Sequence, residues 1–163
     1  MKNITYSFLA LIFLFVLRSS ADEGEIDSKV IFRGKVVYER NCQICHQANG
    51  EGIRLAFPPL TGTPWVTESK ARAIKIVLYG LSGPIIVKGR EFSSKMVEGG
   101  IPPGSLTDAD IAYLLTYIRN AWGNRTSEVK ESEVIDVKEQ VGDRKNAWDS
   151  EDLLKLHPLE ESE

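Results

Sequence analysis

The chain has 163 residues and is short of the residue types from which most protein sites are built. It has two cysteines, Cys42 and Cys45, which is too few for a disulfide framework. It has two histidines, His46 and His157, so a four-ligand zinc site would have only His157 to draw on beyond residues 42–46. Basic clusters are missing. From Asp22 to Asn124 there are 12 Lys and Arg against 11 Asp and Glu, and from Arg125 to Glu163 there are 6 against 12, so no part carries the basic footprint of a nucleic-acid binder. Long apolar runs are also missing: the run from Phe8 to Leu17 is too short for a transmembrane helix, and no later run is longer. No carboxylate pair with a partner and no Ser/His arrangement stands out, so no catalytic set is visible and an enzyme is not expected.

The amino terminus is informative. Lys2, the apolar run and the small residues Ser19, Ser20 and Ala21 have the layout of a secretory signal peptide over residues 1–21, cut after Ala21. An uncleaved anchor is the alternative reading. The expectation is export to the periplasm, with the product soluble or loosely membrane-associated. Asp22, not a cysteine, stands directly after the cut, so a lipoprotein anchor is not expected. The remainder suits one nearly neutral domain, residues 22–124, followed by an acidic extension, residues 125–163.

Both cysteines and one histidine fall within five residues, Cys42-Gln43-Ile44-Cys45-His46. A redox-active disulfide with this spacing belongs between a strand and a helix, and the segment before Cys42 does not read as a strand. Covalent haem explains the spacing better. Two thiols add across the two vinyl groups at one haem edge, and the histidine after the second cysteine then reaches the iron. Haem of this type is attached outside the cytoplasm, in keeping with export.

A haem domain needs a helix leading into the motif, a partner for that helix, and a sixth ligand. Val30, Gly34, Val37, Tyr38 and Asn41 share one face of a predicted helix, with Asp27 or Ser28 as its cap. Gly34 costs that helix about 1 kcal/mol against alanine, and close approach by a second helix would account for it. The second helix is the clearest element of the chain. Thr107 is its candidate N-cap with Asp110 three residues later, close to a capping box; Ile111, Leu114, Leu115, Ile118 and Trp122 form its apolar stripe, and Gly123 with Asn124 its stop. A middle helix is predicted with Ala73, Ile74, Val77 and Leu78 buried and Gly80 at its end, followed by a loop or hairpin in which Ile85, Ile86 and Val87 keep water from the haem or simply fill core.

With Gly34 eight residues and Tyr38 four residues before Cys42, and Leu114 and Tyr117 on the last helix, residues 29–124 resemble class I c-type cytochromes. "LLTYIRNAWGN" is similar to the last helix of bacterial periplasmic cytochromes c that serve dehydrogenases and oxidases. The resemblance implies an all-α fold with the first and last helices crossing beside one covalent haem c, held by Cys42 and Cys45. It implies that Pro58, twelve residues after His46, offers its carbonyl to the imidazole, and that Leu60 lines the haem face.

The sixth ligand is partly a matter of counting. With Met1 removed in the signal peptide, Met96 is the one methionine left, and the other candidates are His157, a lysine, or open iron. His157, in a charged tail before Pro158, reads as solvated. In the resembling family the distal methionine sits just before the last helix, as Met96 does. Many members place two prolines directly after it, whereas here Pro102 and Pro103 follow Ile101. Either "VEGG" lengthens the loop after Met96, or Ile101 stands in the methionine's place; the first keeps the methionine in use.

His/Met-ligated iron implies a one-electron carrier between a periplasmic dehydrogenase and an oxidase or reductase. A fixed haem c subunit of a larger dehydrogenase is the alternative, and a haem-based small-ligand sensor, which needs open iron, a third. Arg54, Lys88, Arg90 and Lys95 are candidates to ring the haem edge, or are plain solvated surface. In the extension, Val134, Val137 and Val141 have helical spacing, "SEDLLKL" suits a further short helix, and Trp148 argues for docking on the domain over a free acidic arm or a partner-binding segment.

Overall fold

The computed structural model describes residues 25–93, 95–96 and 105–160. The expected signal peptide, 1–21, and residues 97–104, with Ile101 and its prolines, lie outside the described residues.

Helix α1, Ser28–Asn41, starts where the Asp27 carboxylate accepts from the Lys29 amide at 2.8 Å. A single turn, α2, Gln43–His46, carries the Cys-x-x-Cys-His run. Helix α3, Pro64–Thr67, opens with proline, and α4, Lys70–Tyr79, is capped by Ser69 and stopped by Gly80 at φ +83°. Two short segments follow: β1, Leu81–Ser82, and the antiparallel hairpin of β2, Ile85–Val87, with β3, Arg90–Phe92. Helix α5, Asp108–Ile118, has the reciprocal capping box of Thr107 and Asp110. Helix α6, Glu131–Val141, strand β4, Trp148–Asp149, and helix α7, Ser150–Leu156, complete the chain. The fold is mostly helical with a few short strands, as the all-α expectation had it.

The close approach of α1 and α5 depends on Gly34. A Cβ there would fall 2.6 Å from the Tyr117 Cβ and into the Tyr113 carbonyl oxygen. Beside this crossing the rings of Tyr38, Tyr117 and Trp122 pack mutually, with centroids 5.0–5.6 Å apart. The main apolar cluster joins α1, α4, α5 and α6, with Ile74, Leu114 and Val134 fully buried. A second cluster gathers Trp65, Leu81, the hairpin residues Ile85, Val87 and Phe92, and Trp148 and Leu153 of the extension, with Met96 packed against it.

Two readings of the sequence need correction. Ile86 does not face inward with Ile85 and Val87. It is exposed, because successive strand residues point to opposite faces and the hairpin has only one buried face. His157 is not free in solvent: its Nε2 lies 2.6 Å from Lys75 Nζ and its carbonyl accepts from Arg72. The cause is Arg72, a wholly buried guanidinium. It collects the Pro64, His157 and Pro158 carbonyls and the Glu68 carboxylate, and so fixes the end of the chain to α4.

Candidate functional site

An apolar cleft with a cavity of about 90 Å³, part of it open to solvent, lies between the two clusters. Protein interiors are close-packed with few voids larger than a water molecule, so an apolar opening of this size that is lined by a histidine, a cysteine and a methionine is a candidate binding site. Its lining includes Cys42 and His46 from the first part of the chain, Pro58 and Leu60 from the following loop, Leu115 and Ile118 from α5, and Met96. The structure therefore brings to one cleft five of the six residues singled out from the sequence. The sixth, Cys45, is half-buried in the same helical turn, its amide bonded to the Cys42 carbonyl at 3.2 Å.

The imidazole of His46 is oriented from behind. Its Nδ1–H donates to the Pro58 carbonyl at 3.0 Å, which leaves Nε2 as the free nitrogen. Burial pushes the His46 pKa down, and the Pro58 bond opposes this only in part, so the ring is neutral near pH 7 with a lone pair to give. The loop that presents Pro58 is tightly folded. Ile53 and Phe57 exchange backbone hydrogen bonds at 2.8 and 2.9 Å, and the Gly52 amide donates to the His46 carbonyl at 3.0 Å. Gly52 has φ +66°, and a Cβ there would run into the carbonyls of Phe57 and Pro58.

The two thiols are free. Burial, with Cys45 adding to it, pushes the Cys42 thiol up to about 12. That is opposite to the depressed pKa of a redox-active Cys-x-x-Cys pair, and it argues against the disulfide-exchange reading. The donor set fits a haem: one imidazole nitrogen, one thioether sulfur, a thiol pair in one helical turn, and otherwise apolar walls. His157 does not line this cleft.

Sequence reasoning missed two contributors. Trp65 lines the cleft, its indole N–H donating to the Ile86 carbonyl at 3.0 Å, so it ties α3 to the hairpin. Asn124, read as a helix stop, also holds the cleft wall together: it accepts from the Gly62 amide at 2.8 Å and donates to the Leu60 and Ile118 carbonyls at 3.1 and 2.8 Å. Its place after the last helix is the one signal the sequence gives of it. Next to the cleft, Arg54, Lys88 and Arg90 border a surface depression that shares Pro59 and Val87 with it; Glu51 is on the same rim.

Among the described residues no helix is long and apolar enough to cross a membrane. Residues 31–122 match the family model described as Cytochrome c. Cytochrome c-552 of Thermus thermophilus is 40% identical over 97 residues, covering 56% of this chain and 69% of that protein. Cytochrome c-552 from a further strain of Thermus thermophilus is also 40% identical over 97 residues, with 61% of its length covered. The cytochrome c subunit of the quinone alcohol dehydrogenase of Gluconobacter oxydans is 33% identical over 92 residues, again 56% of this chain but only 18% of that subunit. The chain thus spans about two thirds of the first two relatives and less than a fifth of the third.

Proposed function

The chain belongs to the cytochrome c family and carries haem c, and we propose that it is a one-electron carrier whose haem is attached through Cys42 and Cys45 and ligated by His46 and Met96. One observation carries this: His46 and Met96, from separate parts of the chain, line the same apolar cleft, with the His46 Nδ1 already engaged by Pro58. Held by Cys42, Cys45, His46 and Met96, a haem would supply an Fe(III)/Fe(II) couple. Pro58 holds the imidazole plane and raises its basicity. Leu60, Leu115 and Ile118 exclude water, and with a thioether ligand this favours the reduced state and a positive potential. With no open position, electron transfer at the haem edge is the reading, and catalysis is not.

The proposed setting is the periplasm, after removal of residues 1–21, with redox proteins as partners. Arg54, Lys88 and Arg90 beside the cleft offer a charged rim of the kind that steers weak redox encounters. The likeness to a cytochrome c subunit of a quinone alcohol dehydrogenase favours a second reading, a fixed haem c subunit of a larger dehydrogenase. Copurification of a tagged chain separates the two: a carrier elutes alone, and a subunit brings a dehydrogenase chain with it.

Expression together with a haem-attachment system tests the assignment. The product should be red, with a mass one haem above the chain and a pyridine haemochrome spectrum of two saturated vinyl groups. Cys42→Ala or Cys45→Ala should shift that spectrum toward one free vinyl. Folded, colourless protein would overturn the proposal.

A further inference from the structure

We infer that the C-terminal extension positions Met96, with β4 bracing the strand from which the methionine hangs. This rests on the reading of Met96 as the sixth ligand.

Among the described residues, the backbone of Met96 is tied to β1. Its amide donates to the Leu81 carbonyl at 2.9 Å, and the Leu81 amide donates back to the Met96 carbonyl at 3.2 Å. Strand β1 is only Leu81–Ser82, and two residues paired on one edge hold nothing rigidly. Its other edge is taken by the extension. Strand β4 pairs in parallel, Leu81 with Trp148 and Ser82 with Asp149, and the Trp148 amide donates to the Gly80 carbonyl at 3.1 Å. Two hydroxyls fix the register: Ser82 Oγ donates to the Trp148 carbonyl at 3.2 Å, and Ser150 Oγ to the Pro84 carbonyl at 2.8 Å.

Leu81 thus pairs on one side with Trp148 in the two-stranded β1–β4 ladder and on the other with Met96 through a single bridge. Directly paired residues put their side chains on one face, and all three belong to the same apolar cluster. Leu81 and Met96 line the cleft, and Trp148 backs Leu81. The extension is anchored by burial on both sides of β4, through Val134 and Val137 before it and Leu153 after it. The Arg144 guanidinium lies 3.8 Å from the Trp148 ring centroid and covers its outer face. A neutral thioether is a modest donor, so its place at a metal is set largely by the protein around it. Loosening β4 therefore releases Met96 more readily than an equal loss of packing elsewhere.

The test uses the full-length holoprotein with Trp148→Ala, Trp148→Phe, Ser150→Ala, Val37→Ala and Met96→Ala; Val37 is buried on α1, outside the extension and the cleft lining. The readouts are reduction potential, imidazole binding to the oxidised protein, and melting temperature. Trp148→Ala should lower the potential and bind imidazole more tightly. Trp148→Phe should stay near the parent, and Ser150→Ala should move part of the way, which keeps the test open if Trp148→Ala does not fold. Val37→Ala should melt earlier with potential and imidazole affinity unchanged. If Trp148→Ala and Ser150→Ala only melt earlier, or if Val37→Ala moves the potential as much, the positioning role is overturned. Failure of the ligand reading is distinguishable: the parent would then lack the sulfur–iron absorbance, Met96→Ala would leave spectrum and potential unchanged, and the inference would fall with its premise.

Discussion

Gly34 shows how far one residue can be read from sequence. A glycine inside a helical pattern needs a reason, and the structure supplies it: the Tyr113 carbonyl and the Tyr117 Cβ stand where a Cβ would go. Backbone on the far side cannot yield as the tip of a flexible side chain can. Gly34→Val should therefore destabilise the protein by about 1–3 kcal/mol or more, as overpacking does, and denaturant unfolding measures it. A change near zero would mean that α1 and α5 do not touch there. Asn124 was legible only as a helix stop, because its partners Gly62 and Leu60 lie far off in sequence and no local pattern announces them. Asn124→Ala should cost about 1–3 kcal/mol by leaving buried backbone groups unpaired, and should loosen the loop bearing Leu60. Asn124→Asp, which sets a carboxylate oxygen against the Leu60 and Ile118 carbonyls at a buried site, should cost at least as much.

Elements were legible where a period or a cap spoke. Helix α5 has its stripe and capping box, α1 its Asp27 cap, and α4 its glycine stop. Strands β1 and β4 were not, since they have two residues each and are defined by their pairing alone. The end of α7 was misread for a similar reason: His157 is surrounded by charge in sequence but meets Lys75 and Arg72 in space. Burial first, then Lys75, then Arg72 hold its imidazole below the usual histidine range, so the folded protein keeps it neutral, accepting from Lys75. Glu68 and Glu160, the acidic groups nearby, are bonded through the Glu68 carboxylate to Arg72 and to the Glu160 amide. As pH falls below about 6.5, the unfolded chain takes a proton at His157 that the folded chain resists. Stability is thus present above that pH and is lost as pH drops toward the lowered folded value. His157→Gln should flatten this part of the pH–stability curve, as denaturant midpoints between pH 5 and 7 would show (~1-unit steps suffice). An unchanged slope would assign the dependence to another group.

At the scale of the whole molecule, the two thiols, the imidazole and the single later methionine were the legible part of the site, because their chemistry is carried by residue type and spacing. The walls were not. Trp65 and Leu81 reach the cleft through tertiary packing, and the extension reaches Met96 through β1. The central claim is that the chain closes both faces of its iron with His46 and Met96, and so carries electrons and binds no small ligand. Carbon monoxide added to the reduced holoprotein at neutral pH tests this most directly. The account predicts no spectral change in the parent protein and prompt binding in Met96→Ala. Prompt binding by the parent, with Met96→Ala behaving the same, would contradict it.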